Sequence, residues 1–387
     1  MARKNHPDAR PLEVTVVSEP AALGQWRAAW EELEKQALEE SPFLQPAVLM
    51  AAWSNLQDEE NLCCVLITSG GDSSASNDPK NKKIHGLFPL SRINRRSLRR
   101  GIWSHEYCFN ATPLIHTEKP RNTIEAFLQW IDRNDTAFFR LPELRADGPF
   151  YLALQQVVAQ QKRPLFVQKN HFRAAFNPAS SVEEFLATRM SKSTRKELLR
   201  LERRLAERGN LLCEPLEATG DIEQWIDDFL RLEQSGWKGD KNSALASSTN
   251  SRKFFTGMVR ELFENQRLVM LKLSLDGEPI AMNTVIKAGE SAAYFKIGHA
   301  EEFRRYSPGR LLELNFIRWL HQQSDIVYVD SCAEPNHQMI ESIWADRQFM
   351  QSLWIGSTHW SSYLSLFALS CMHFAKSAWR HRGVARA

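Results

Sequence analysis

Several familiar functional signals are missing from this sequence. No apolar run is long enough to span a bilayer as a helix. The six cysteines (Cys63, Cys64, Cys108, Cys213, Cys332 and Cys371) are scattered. They form no Cys-x-x-Cys pair, and no His/Cys cluster has the spacing of a zinc site, so no metal is expected. Met1 to Pro20 shows no signal-peptide pattern. Together these features set the expectation of a reducing, cytoplasmic location. Charge of one sign is also in short supply. A formal net charge of +3 over 387 residues is too small to argue for a nucleic-acid partner. What remains is an ordinary globular composition, long enough for two or three well-buried cores, with 12 tryptophans available for packing.

Periodicity and turn chemistry divide the chain into alternating elements. Strand patterns at 12–17, 62–68, 84–93, 102–109, 136–141 and 164–172 are interleaved with helical patterns at 24–38, 46–56, 123–132 and 148–161. The polar stretch 69–83 reads as a long hairpin tip. A similar order follows: helices at 182–189, 191–208, 221–234 and 251–264, and strands at 211–216, 268–275, 280–286, 292–298 and 326–330. Asp276-Gly277 marks a hairpin turn. A helix beginning at Ser307 separates the last two strands, which makes them a parallel pair joined by a βαβ crossover in an otherwise antiparallel sheet. Ligands tend to bind beyond the carboxyl ends of such strands.

That helix begins Tyr306-Ser307-Pro308-Gly309-Arg310-Leu311-Leu312. Ser307 suits an N-cap and Pro308 the first helical position. Gly309 and Arg310 suit a purely structural helix less well. Gly costs roughly 1 kcal/mol relative to Ala in a helix interior, and a cation at the positive end of the helix dipole is unfavourable. An anion held at this terminus accounts for both residues, and for Arg304 and Arg305 beside them. The alternative is a solvated first turn whose arginines pair with Glu301, Glu302 and Glu313.

The order of elements, with this turn between the parallel strands, resembles the GNAT acyltransferase superfamily. More specifically, the chain is similar to the CelD/BcsL-type acetyltransferases of cellulose and exopolysaccharide biosynthesis, which are related to the Fem peptidyltransferases. The residues that carry the resemblance are Ser41-Pro42-Phe43-Leu44-Gln45 with Trp53; Ser191-Lys192-Ser193-Thr194-Arg195-Lys196; Leu232 to Trp237; Asp276-Gly277-Glu278-Pro279-Ile280-Ala281; Tyr294 to Gly309; and Asp330. The family's Gly-rich turn and Tyr-Lys pair after Asp330 are replaced here by Ser331-Cys332-Ala333-Glu334-Pro335-Asn336-His337, so functions of that pair do not carry over. The resemblance implies an α/β (α+β) fold of two GNAT-like halves. Each would be a mostly antiparallel sheet with a central βαβ crossover and flanking helices. Residues 1–166 would lack the cofactor turn; residues 167–387 would hold the acyl-CoA site and a C-terminal helix.

In such enzymes an amine attacks a thioester carbonyl directly. The protein must orient the two, handle a proton and stabilise an oxyanion. Acetyl-CoA or another acyl-CoA would be the co-substrate. Its pyrophosphate would rest on Ser307, Pro308, Gly309 and Arg310 with Arg305 nearby, and the oxyanion donor would be a backbone amide near Ile297 or Gly298. Glu302, Asp330 and His299 are the candidate bases, each at or just past the carboxyl end of a central strand. For each there is a plainer reading: a Glu302 ion pair with Arg304 or Arg305, an Asp330 cap on the following turn, and an ordinary loop histidine. Lys296 is a candidate for substrate contact, or, if it points inward, for pairing with a carboxylate. Trp237 and Lys238, between Gly236 and Gly239, are candidates for the lip of the acceptor site.

Arg189 to Arg208 is rich in basic residues, with Glu197, Glu202 and Glu207 as its acids. A solvated helical face with local pairs is one reading. A site for an anionic partner through Arg195, Arg200 and Arg204 is the other. Residues 363–375 are apolar and precede Lys376, Arg380, His381, Arg382 and Arg386, which fits either a terminal helix packed on its own domain or a helix lying on the inner-membrane surface. The leading function is acyl-CoA-dependent N-acyl transfer to an amine of a sugar or sugar-lipid intermediate. The alternatives are aminoacyl-tRNA-dependent transfer of Fem type and a non-catalytic assembly role.

Overall fold

The computed structural model describes residues 11–56, 62–70, 79–92, 100–134, 138–178, 181–235, 245–368 and 370–371. In chain order the strands are β1 (Leu12–Val17), β2 (Cys63–Ser69), β3 (Lys83–Arg92), β4 (Arg100–Ile102), β5 (Leu114–Ile115), β6 (Phe138–Arg145), β7 (Leu165–Phe176), β8 (Leu211–Pro215), β9 (Leu268–Val269), β10 (Leu271–Leu275), β11 (Glu278–Ala288), β12 (Ser291–His299), β13 (Tyr328–Asp330) and β14 (Asp346–Gly356). The helices are α1 (Pro20–Gly24), α2 (Arg27–Lys35), α3 (Pro46–Asn55), α4 (Pro120–Asn134), α5 (Pro149–Gln160), α6 (Val182–Thr188), α7 (Lys192–Ala206), α8 (Ile222–Gln234), α9 (Thr249–Glu264), α10 (Pro308–Leu320) and α11 (Gln338–Glu341).

The chain forms two compact units. The first unit takes residues 1–46, 58–171 and 349–387, and the second takes 47–57 and 172–348. This differs from the expected division at 166/167 in two ways. Helix α3, apolar on every side and largely buried, belongs to the second unit. The C-terminal segment belongs to the first, because β14 pairs antiparallel with β6 there: Ile355 opposes Phe139 and Leu353 opposes Leu141. Neither long-range choice leaves a local mark in the sequence. The strand expected at 102–109 is not formed: β4 spans Arg100–Ile102, and residues 103–109 carry no strand.

Within the first unit the strand order is β1-β2-β3-β4-β6-β14, and within the second it is β8-β10-β11-β12-β13-β7. The two orders match step for step. Each unit has one parallel pair, β4 with β6 and β12 with β13, bridged by a helix crossover in an otherwise antiparallel sheet. The fold is therefore mixed α/β and GNAT-like, with mostly antiparallel sheets and flanking helices, as the resemblance implies.

In the second unit both faces of the sheet are covered, so its central strands read as continuous apolar runs instead of alternating ones. On one face the Tyr294 ring packs on Phe316 (5.4 Å between centroids) and Trp344 (5.7 Å). On the other, Phe295 packs between Phe254 and Phe255 of α9, at 6.3 Å from each. These side chains sit in β12, which carries a β-bulge. Thr284 opposes Lys296 and Val285 opposes Tyr294, leaving Phe295 without an opposite residue. After the bulge the side chains exchange faces. Lys296 joins Phe295 on the α8 and α9 side, while Ile297 and His299 join Tyr294 on the α10 side.

Gly298 falls where α8 comes closest. A Cβ there would stand 2.8 Å from the Glu233 amide nitrogen and 3.1 Å from the Leu232 carbonyl carbon. Both are backbone atoms of a packed helix and cannot swing aside. Gly298→Val should therefore destabilise the second unit by about 1–3 kcal/mol, the usual cost of overpacking. A lowered urea midpoint with an unchanged slope checks this. The control is Gly309→Ala, whose Cβ would meet only side-chain atoms, at 3.4 Å or more.

Candidate acyl-transfer site

Strands β12 and β13 stay together for only three residue pairs: Ser291 with Tyr328, Ala292 with Val329, and Ala293 with Asp330. Past Ala293 the pairing stops, because β13 ends at Asp330. Among the described residues, 294–299 are paired on the β11 side alone. At about 3.3 Å per residue, the stretch of β12 from Tyr294 to His299, beyond its pairing with β13, is about 16 Å long. The Ser307 turn lies at its carboxyl end and the bulge at its other end.

β13 is also held by its other neighbour, β7. Asp330 pairs with Ala175 of β7, and its carboxylate forms a buried ion pair with Arg173. The second carboxylate oxygen accepts from the Cys332 amide at 3.0 Å. Burial works against the Arg173 charge, but Asp330 outweighs it and holds the guanidinium protonated. This arrangement joins the turn-capping reading of Asp330 to an ion pair, and both oxygens are engaged.

The start of α10 differs from those of the four helices before it. Helices α6, α7, α8 and α9 are each capped by a Ser or Asp side chain that accepts a backbone N–H of the first turn. Ser307 makes no such bond. Its backbone is left-handed (φ 51°, ψ 56°), a conformation that non-glycine residues adopt at some cost and that recurs at functional sites. The expected side-chain cap is therefore absent. The Ser307 carbonyl accepts from the Arg310 and Leu311 amides at 3.0 and 3.1 Å, and Pro308 has no amide to offer. The Gly309 amide donates to no acceptor among the described residues. Gly309 is buried beside the side chains of Ile297, His299 and Met339.

The other expected site residues are placed as follows. The Arg310 guanidinium reaches Glu197 of α7 at 3.2 Å and is mostly buried; in this state it links two helices. Its Nε is buried without a partner. Arg305 is exposed and lies over the Tyr306 ring, 4.8 Å from the centroid. Arg304, not Arg305, pairs with Glu301, at 3.0 Å. Glu302 is exposed, and no ion pair engages it among the described residues. His299 is half-buried against the turn. Lys296 pairs at 3.2 Å with the fully buried Glu233, whose other oxygen accepts from the Leu245 amide. Lys296 thus has the carboxylate partner that an inward-pointing lysine needs, and it is tied to α8 instead of open to substrate. Arg195 donates to the Leu186 carbonyl at 3.4 Å. Trp237 and Lys238 lie outside the described residues. His299 and Glu302 therefore sit with the Ser307 turn at the carboxyl end of β12, and Asp330 sits beside Ala293, before the bulge.

One group at this site was assigned a different place by the sequence. Glu313, one of the acids that could have paired the turn's arginines, is instead fully buried beneath α10. Neither carboxyl oxygen has a well-formed hydrogen bond. Burial pushes its pKa up to about 8, with Tyr294 and Trp344 pulling partly the other way. The signal was available: Glu313 falls between Leu312 and Leu314, on the helix's apolar side.

In the first unit, His85, His116 and Glu118 bring three potential metal-ligand atoms within 4.8 Å of one another. They fit a metal poorly. His116 Nδ1 accepts from the Glu118 amide at 3.0 Å, which puts the neutral ring's proton on Nε2, and Lys83 Nζ lies 2.7 Å from the Glu118 carboxylate.

Residues 192–337 match the family described as Acetyltransferase (GNAT) domain. No curated protein matches the chain. Three solved structures illustrate its fold. A crystal structure of FemX superposes with a TM-score of 0.58 at 10% identity, covering 92% of this chain and 99% of that one. A conserved protein of unknown function from Bacteroides thetaiotaomicron gives 0.54 at 9% identity, over 85% and 97%. The C-terminal domain of a putative lysylphosphatidylglycerol synthetase from Agrobacterium fabrum gives 0.52 at 12% identity, over 91% and 96%.

Two measurements test this account of the site. Asp330→Asn leaves the Arg173 charge buried and unpaired, so it should cost about 3–5 kcal/mol of stability, read as a lowered denaturant midpoint. A substitution that affected activity alone would contradict the buried pair. Glu313 makes a pH prediction. Its folded-state pKa is raised, so between about pH 4.5 and 8 the folded chain keeps a proton that the unfolded chain has lost. Stability should fall as pH rises through that window, by up to about 1.4 kcal/mol per pH unit. Glu313→Gln should remove this slope and gain on the parent steadily from pH 5 to pH 8.5 in thermal unfolding. The stretch that matches the GNAT acetyltransferase domain, residues 192–337, contains the β12–β13 pair and the Ser307 turn.

Proposed function

We propose that this chain is an acyl-coenzyme A-dependent N-acyltransferase whose acceptor is an amine on a sugar or a polysaccharide-pathway intermediate. The observation that carries the reading is that β13 ends after three pairs with β12, which runs on toward an uncapped helix start. A stretch about 16 Å long matches an extended pantetheine arm, whose amides would pair with the backbone of β12. The pyrophosphate would rest at the Gly309 amide on the positive end of α10, and the thioester would lie toward the bulge.

Bound this way, the acyl carbonyl meets a backbone amide of β12 as its oxyanion donor. The neutral amine attacks the carbonyl carbon, the new C–N bond forms and the C–S bond breaks. The nitrogen's surplus proton ends on the departing thiolate or in solvent. Of the three candidate bases, His299 and Glu302 stand at the phosphate end. Asp330 stands at the thioester end, with both oxygens engaged, and we assign it a positioning role. Tandem use of the fold is assigned in the same way: the first unit has no counterpart of the Ser-Pro-Gly-Arg turn before α4 and would bind no acyl-CoA.

A second reading, aminoacyl-tRNA-dependent transfer of Fem type, is favoured by one observation. Glu197 and Glu202 of α7 turn inward to pair with Arg310 and Arg318, while Lys196, Arg200, Arg203 and Arg204 stay exposed. Such a surface suits a phosphate backbone.

Titration calorimetry with coenzyme A, acetyl-coenzyme A and bulk tRNA separates the readings. Acyl-coenzyme A should bind and tRNA should not. Gly309→Val, which adds bulk beside the free amide, should weaken coenzyme A binding at least tenfold, equivalent to ~1.4 kcal/mol. Binding of tRNA alone would favour the second reading. Coenzyme A binding unchanged by Gly309→Val would place the cofactor elsewhere.

A further inference from the structure

Residues 360–368 form a helix in the first unit whose two sides have opposite fates. The inner side is firmly seated. Leu366 packs with Phe138, Trp354 and Phe166. The Ser362 hydroxyl shares a 2.6 Å hydrogen bond with that of Ser357, and the Tyr363 hydroxyl donates to the Lys162 carbonyl. Gly356 lies under the helix so closely that a Cβ there would stand 3.1 Å from both Leu366 and Ser362 side-chain atoms. The orientation of this helix is therefore fixed by its inner contacts.

Its outer side is apolar. Trp360, Tyr363, Leu364 and Phe367, spaced i, i+3, i+4 and i+7, are 76%, 46%, 61% and 69% exposed. Single exposed apolar residues are ordinary, but a stripe of four large ones on one seated helix marks an interaction surface. Charge identifies the partner. From Arg347 to the end of the sequence there is no Asp or Glu, whereas Lys376, Arg380, Arg382 and Arg386 follow the stripe. Trp and Tyr are the residues that favour the headgroup boundary, and a cationic segment without acids is drawn to anionic headgroups with nothing to repel them.

We propose that the 360–368 helix face is a docking surface for an anionic lipid bilayer, which holds the first unit at the membrane surface without spanning it. The stripe enters the headgroup boundary, and the basic C-terminal residues supply the preference for negative lipid. The proposal does not depend on the acyl-transfer reading.

The test uses the full chain with vesicles of phosphatidylcholine alone or mixed with phosphatidylglycerol, read by co-sedimentation. The parent should partition onto the mixed vesicles, and 0.5 M salt should weaken binding by an order of magnitude or more. The variant Trp360→Ser/Leu364→Ser/Phe367→Ser should lose at least tenfold in partitioning, with its thermal unfolding and its coenzyme A titration the same as the parent's. Arg380→Gln/Arg382→Gln/Arg386→Gln should lose the preference for phosphatidylglycerol. Three results would overturn the proposal: no partitioning of the parent on either vesicle; equal partitioning of the parent and the serine variant; or a parent that sediments as a dimer in solution, ignores vesicles and becomes monomeric in the serine variant. That last result would assign the stripe to a second copy of the chain.

Discussion

The short parallel pairing of β12 with β13 is the constraint on which the rest of the second unit depends. A parallel pair requires a crossover, and the crossover here is α10, so one step of topology places a helix start beside a strand end. Two further features shape the acyl-CoA slot proposed there. The Arg173–Asp330 pair anchors β13 to β7, and the bulge at Phe295 re-aims the residues of β12 beyond it. Without the bulge, Lys296 and Gly298 would face the Ser307 turn. With it, Ile297 and His299 do, and Gly298 is free to receive α8.

Electrostatics in this unit are organised by pairing across elements. Helix α7 is held to α10 by Glu197 with Arg310 and by Glu202 with Arg318, and Lys296 is held to α8 through Glu233. These partly buried pairs orient helices around the slot. They also explain why basic residues that look available for a ligand are already engaged. Glu313 is the exception. It is buried without a cation, so its proton supplies the neutrality that a partner would otherwise give.

The first unit repeats the order of strands with different contents. It has the same parallel pair and crossover, but no glycine turn at the helix start. It also completes its sheet with β14, which the chain supplies only after the second unit has been built. The C-terminal helix follows directly from β14, so the placement of that one strand also decides which unit presents the exposed aromatic stripe.

The sequence by itself determined most of the helices and strands and the location of the turn, but not β14. Apolar periodicity is local, and so α7, α8 and α9 could be read from the patterns at 191–208, 221–234 and 251–264, and α10 from Ser307-Pro308 before its apolar face. The order of elements was enough to require the βαβ crossover, because a strand–helix–strand sequence in one sheet leaves little choice. What only the tertiary structure decided was partnership. The engagement of Asp330 with Arg173, of Lys296 with Glu233 and of Arg310 with Glu197 joins residues 157, 63 and 113 positions apart, a separation over which no local pattern selects a partner. The left-handed backbone at Ser307 and the bulge at Phe295 were equally hidden, because each answers to what packs against it and not to its own residue type. The assignment of α3 and β14 to their units followed the same rule: both are apolar enough to be buried anywhere, and the sheet and core that received them were built from distant parts of the chain.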